Sequence, residues 1–225
     1  HYISSPVNTP SFGDIGVPLF GADDVFVTPS ANCDEDFLAQ GSNYGNIFEW
    51  VENVPDVSCL LSGWKVQSSG IMDNGKGYSV YLQSGSTIDL TGTPNTGNKT
   101  IGGLTNTGYP TGNIESWVVE PGWNLIGNPF ASGLWLNTPH PNVDPTIHVW
   151  HTSGTYTGTY QPATIGSISA TAHLAPFQAF MVRVTNPGTT SFTFQQSERE
   201  EQENPFFMQM GGSTLQVDVT GNGFS

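Results

Sequence analysis

Asp23, Asp24, Asp34, Glu35 and Asp36 crowd one stretch of the chain. They concentrate oxygen donors as a hard cation requires, since calcium takes roughly six to eight oxygens. Calcium is the metal to expect there; the plainer alternative is a solvated acidic loop in which Asp favours a helix start. No EF-hand loop or nonapeptide repeat orders these acids. His140, His148 and His151, with Asp144 nearby, bring zinc-type donors. On a strand, positions 148 and 151 point to opposite faces, so packed or loop histidines are expected instead. Glu115 and Glu120 invite comparison with the carboxylate pair of a glycosidase, whose acid and base must flank the scissile bond. Glu120-Pro121 reads as a turn, and solvated strand-end carboxylates are the expectation. The sequence has no Gly-x-Ser-x-Gly elbow, phosphate-cradling loop or zinc-finger spacing. No catalytic residue is assigned, and an enzyme is not expected.

Aromatic side chains offer a different chemistry, because the apolar faces of sugar rings stack on Trp and Tyr. Trp64, Trp135, Tyr156 and Tyr160 sit beside turn residues and are the candidate ligand-binding surface. Trp50, Trp117 and Trp150 are expected in the core. Cys33 and Cys59 are the only cysteines. An even count in a Lys-poor chain fits an oxidised, secreted protein with a Cys33–Cys59 disulfide, and two buried thiols are the alternative.

Strands must position these groups. Tyr78, Val80 and Leu82 alternate with polar partners, as do Phe180, Val182 and Val184, and Ile88/Leu90 and Phe192/Phe194 continue the pattern. Ser84-Gly85-Ser86 and Asn186-Pro187-Gly188 then read as hairpin turns, since Gly accepts positive φ and Pro presets the bend. The one helical hint, Asn32 to Gly41, amounts to a turn or two. Residues 92–108 read as a Gly-rich surface connector. Glu198-Arg199-Glu200-Glu201-Gln202-Glu203 reads as a solvated acidic linker.

The landmarks recur in order. Tyr2-Ile3-Ser4-Ser5-Pro6-Val7 matches Asn124-Leu125-Ile126-Gly127-Asn128-Pro129-Phe130 around the shared Pro. Ile47-Phe48-Glu49-Trp50 matches Ile147-His148-Val149-Trp150, and the expected hairpin from Gly77 to Leu90 matches that from Gln178 to Phe194. A duplication predicts two similar β units, each too small to bury a good core alone. The expected architecture is all-β: an antiparallel, jelly-roll-like β-sandwich of two similar repeated halves with very little helix. Residues 1–110 would form the first unit with its acidic loop, 111–197 the second, and 198–225 a linker with the opening strand of a following module. Both ends read as cuts in a longer polypeptide.

Composition limits the partners. The 225 residues carry 19 Asp+Glu against 5 Lys+Arg, a formal charge of −14, which disfavours nucleic acid and anionic membrane surfaces. Charged residues are only 11%, below the roughly 25% usual in globular domains, so the polar surface falls to Asn, Ser, Thr and Gly. No apolar run approaches the roughly 18 residues of a spanning helix, and membrane insertion is not expected.

Gly122-Trp123-Asn124-Leu125-Ile126-Gly127-Asn128-Pro129-Phe130 resembles a segment recurrent in very large surface and secreted proteins of the Bacteroidetes, exported by the type IX secretion system. Tyr2 to Val7, Gly75-Lys76-Gly77-Tyr78, Leu90 to Gly97, Ala175-Pro176-Phe177-Gln178-Ala179-Phe180 and Leu215 to Gly223 are similar to segments found there in this order. The resemblance covers most of the chain. It implies a modular, β-rich, extracellular or cell-surface protein and specifies compartment more than chemistry. The expected function is that of a non-catalytic module in adhesion, display or spacing, and the alternative is a carbohydrate-binding module attached to a polysaccharide-degrading enzyme. Expected partners are other modules of the same chain, surface glycans or the secretion machinery, and calcium is the one cofactor that the acidic loop suggests.

Overall fold

The computed structural model describes residues 2–8, 47–52, 63–66, 71–80, 88–90, 92–108, 121–153, 157–166, 173–200 and 217–218. Asp23, Asp24, Asp34, Glu35, Asp36, Cys33, Cys59, Glu115, Glu120, Trp117 and Tyr156 lie outside them, and with them the calcium, disulfide and paired-carboxylate expectations.

The architecture is all-β, with several antiparallel sheets and, among the described residues, a single 3-10 turn at Gln196–Glu198. Strands β1 (Tyr2–Ile3), β2 (Ile47–Trp50), β3 (Trp64–Val66) and β4 (Tyr78–Val80) form a sheet in the order β1-β4-β2-β3. After β5 (Ile88–Asp89) and β6 (Lys99–Asn106) come β7 (Trp123–Gly127), β8 (Gly133–Trp135), β9 (Thr146–Thr152) and β10 (Gly158–Thr164). Then follow β11 (His173–Leu174), β12 (Ala179–Arg183), β13 (Gly188–Phe194), β14 (Arg199–Glu200) and β15 (Val217–Asp218). A second four-stranded sheet has the order β7-β12-β9-β10. A three-stranded sheet, β11-β8-β14, and two pairs, β6 with β13 and β5 with β15, complete the set; the last pair is parallel.

The registers of the two larger sheets run alike. Tyr78 lies between Ile3 and Glu49, and Phe180 lies between Ile126 and Val149. Ser79 opposes Phe48, and Met181 opposes His148. Trp50 opposes Trp64, and Trp150 opposes Tyr160. The sheets also clasp each other: Ile3 bridges Gln178 and Lys76 bridges Ile126. Ser4 N–H donates to the Phe177 carbonyl at 2.7 Å, and Gly127 N–H donates to the Gly75 carbonyl at 2.9 Å. Gly127 can be nothing larger, because a Cβ there would come within 2.6 Å of the Ser4 side chain.

Alternation along each strand separates two apolar layers. Ile126, Ile147, Val149, Phe180 and Val182 face the main core, with Phe130, Leu134, Leu174, Phe192 and Phe194 closing it. The opposite face of the same sheet presents Leu125, Ala179 and Met181, against which Tyr2, Trp50 and Trp64 of the other sheet and Trp123 pack. In the first sheet Ile3, Ile47, Tyr78 and Val80 turn the other way and are buried.

Three expectations fail. The two expected hairpins do not pair: β4 and β5, and likewise β12 and β13, belong to different sheets. Phe180 meets Phe192 and Phe194 at 6.3 Å across the core, so Asn186-Pro187-Gly188 carries the chain over the core in an arch. The supposed connector contains the eight-residue β6. Ile101 and Leu104 join the main core, and a register shift opposite Gly102-Gly103 accommodates the glycines. The acidic linker does not begin at Glu198, which is 2% exposed. Its carboxylate accepts Asn137 and Thr138 N–H on one oxygen and Gln195 N–H on the other, and β14 then pairs with β8. Those donors offset the desolvation that charge pattern alone makes forbidding.

Candidate functional site

The candidate aromatic residues separate into two groups. Trp64 and Tyr160 come together in the layer between the large sheets. Tyr2 joins them, with ring centroids 5.5 Å from Trp64 and 6.1 Å from Tyr160, and stacks at 21° on Trp150, 5.8 Å away. Trp50 sits edge-on to Trp64 at 5.1 Å, and Trp150 edge-on to Tyr160 at 4.9 Å. Trp50 Nε1 donates to the Trp123 carbonyl at 2.7 Å, while Trp123 meets the His148 ring at 5.0 Å. Trp64 is thus a packing residue, and Trp50 and Trp150, expected in a core, lie in this layer beside it. Tyr160 is 42% exposed and forms the rim.

The hydroxyls of Tyr2 and Tyr160 are 2.7 Å apart. Burial pushes the Tyr2 phenol well above its ordinary range, and Tyr160's negative charge would push it further. Burial raises Tyr160 too, against the lowering effect of its bond to Tyr2. Both phenols therefore stay protonated near neutral pH, and the pair offers polar contacts and π faces rather than a proton donor poised near neutrality.

Trp135 stands apart, on the β11-β8-β14 sheet. Its register partner is His173, and the two rings lie 5.8 Å apart at 17°. His173 Nδ1 is 2.7 Å from Glu200 Oε2. Glu200 opposes Gly133 on β8, two residues before Trp135. Trp135 Nε1 is buried with no hydrogen-bond partner among the described residues. The neighbouring positions Leu134 and Leu174 point inward and are fully buried, so Trp135, His173 and Glu200 share the outer face. On that face Arg199, of opposite parity, is absent; it lies over the Phe130 ring at 5.3 Å and donates to Ser132 Oγ.

The histidines do not converge. His148 and His151 lie on opposite faces of β9, and His140 packs on Phe192 with centroids 3.8 Å apart. Burial lowers the His140 pKa, opposed by the Glu198 charge. Asp144 caps its own turn through Thr146 N–H. Among the described residues no three His, Cys, Asp or Glu side chains group as a metal would need, and no helix is long and apolar enough to cross a membrane.

Sequence reasoning missed Tyr2, His173 and Glu200. Nothing in the spacing of Trp135, His173 and Glu200 marks them as neighbours, because long connections separate the three strands that align them. Comparison with protein families, curated proteins and solved structures finds no match.

Proposed function

We propose that the two four-stranded sheets are duplicated halves of one jelly-roll-like β-sandwich, and that the chain is a non-catalytic extracellular module of a large secreted or cell-surface protein, acting in adhesion, display or spacing. One observation carries the reading: the reciprocal clasp in which Ser4 N–H bonds Phe177 and Gly127 N–H bonds Gly75. The end of β1 thus bonds the entry to β12 and the end of β7 bonds the entry to β4, a reciprocity like that of an isologous interface. Such reciprocal backbone bonds tie the two sheets to each other, which suits a spacer under load. The resemblance to type IX secretion substrates supplies the compartment. The reading is tested by pulling tandem copies of the chain in a force spectrometer. The expected record has one unfolding event per copy, releasing both halves together; separate events for the halves would contradict it.

A further inference from the structure

Turns of the same shape enter β4 and β12. In one, Lys76 N–H bonds the Asp73 carbonyl at 3.2 Å; in the other, Gln178 N–H bonds the Ala175 carbonyl at 3.3 Å. The third residue of each turn has a positive φ, 76° at Gly75 and 61° at Phe177, and the second does not, which is the type II pattern. The central pairs differ: Pro176-Phe177 in one turn, Asn74-Gly75 in the other. An asparagine side chain before glycine is the one most open to attack by the following backbone nitrogen, because glycine puts no Cβ beside that nitrogen.

We propose that Asn74 is a deamidation site gated by the clasp between the two large sheets. The closed clasp protects the side chain, and conversion after opening hinders reclosing. The Gly75 nitrogen attacks Asn74 Cγ and loses its proton; Nδ2 gains a proton and leaves as ammonia, so that a succinimide remains. Water then opens the ring, at the side-chain carbonyl to give aspartate or at the backbone carbonyl to give isoaspartate. Water is the only co-reactant.

The closed geometry opposes the first step. A type II turn directs the Gly75 nitrogen away from the Asn74 Cβ, whereas closing a five-membered ring brings the two to one side. Asn74 Nδ2 donates to Asn95 Oδ1 at 2.8 Å, and Asn74 Oδ1 accepts from Asn95 Nδ2 at 2.6 Å. Asn95 is 2% exposed and is held in turn, its Nδ2 donating to the Pro129 carbonyl and its N–H to the Pro6 carbonyl. The Gly75 carbonyl accepts Gly127 N–H, so rotating the Asn74–Gly75 peptide breaks the clasp along with the amide pair. Gly75 is fixed by its surroundings, since a Cβ there would lie 2.0 Å from Ile101 Cδ1. Asn74 is not fixed in this way: Pro176 serves at the matching place in the other turn. The products disturb what the amide held. Aspartate sets a carboxylate against Asn95 Oδ1 and beside Asp73, and isoaspartate adds a methylene to the turn backbone and shifts the Gly75 carbonyl from Gly127.

The test is peptide mapping by mass spectrometry of the 225-residue chain held in mildly alkaline buffer, with and without urea. Asn222-Gly223, the other Asn-Gly pair of the sequence, is read from its own peptide. Conversion at Asn74 is expected in urea and should be at least about a hundredfold slower in buffer. Asn95→Ala should raise the rate in buffer about tenfold, and Asn74→Asp, which carries one product from the start, should speed amide exchange at Gly127 about tenfold. If Asn95→Ala does not fold, a urea series on the unaltered chain carries the test: the rate at Asn74 must follow the unfolded fraction through the transition. Equal rates in buffer and urea, or a rate that ignores the transition, would overturn the gating. No conversion at Asn74 in urea would overturn the site, and unchanged Gly127 exchange in Asn74→Asp would overturn the effect on reclosing.

Discussion

Phe177 holds φ at 61°, in the left-handed region that favours glycine, at the place in its strand entry where Gly75 holds 76° in the other sheet. Each residue directs its carbonyl to the other large sheet, Phe177 to Ser4 and Gly75 to Gly127. The clasp thus imposes one backbone shape on two different residues, and at Phe177 that shape costs on the order of 1 kcal/mol.

Gly75→Ala should destabilise the protein by about 2 kcal/mol or more, because a Cβ would fall 2.0 Å from Ile101 Cδ1 on a backbone with positive φ. Phe177→Gly should change stability by no more than about 1 kcal/mol, since relief of strain offsets lost packing and a freer unfolded chain. Urea unfolding of both variants measures the contrast.

Glu52 ties three segments. Its carboxylate accepts the Thr105 hydroxyl, the Thr107 N–H and hydroxyl, and the Gly122 N–H. Glu52→Ala should cost about 2 kcal/mol, the usual scale for hydrogen bonds to a charged acceptor, and Glu52→Gln less. Chemical denaturation at constant pH reads the difference.

Trp50→Ala should cost about 3–5 kcal/mol through loss of the inter-sheet packing and the Trp123 carbonyl bond. Tyr160→Ala should cost clearly less, because the ring is 42% exposed. Thermal unfolding ranks the two variants.

His140 predicts acid sensitivity. Burial lowers its pKa below the ordinary 6.5, so between that value and the folded one the unfolded chain binds more protons than the native protein. Stability from this group is intact above about pH 6.5, falls as pH drops below it, and levels off beneath the folded pKa. His151, also lowered by burial, contributes in the same direction. His140→Phe should flatten the fall in melting temperature between about pH 7 and pH 5.

The all-β class and the recurring landmarks were legible because alternation at period two survives in short strands, as in Phe180, Val182 and Val184. Pairing was not. A hairpin and an arch have the same alternation; the pairing of β13 with β6 and the shared core between Phe180 and Phe194 tell them apart. Composition hid β6, since Gly102-Gly103 interrupts Ile101 and Leu104 without ending the strand. Charge hid Glu198, whose three backbone donors come from residues 137, 138 and 195. For the candidate site, Trp135 was visible as an aromatic beside turns, but its partners are set by strand register across separate connections.

The central claim is that the two sheets form one interlocked unit, and amide hydrogen exchange at Ser4 and Gly127 tests it most directly. Both amides should exchange only with global unfolding, with protection free energies within about 1 kcal/mol of each other and of the unfolding free energy from denaturant. Rapid exchange at Ser4 while Gly127 stays protected, or the reverse, would show that one half opens without the other and would contradict the account.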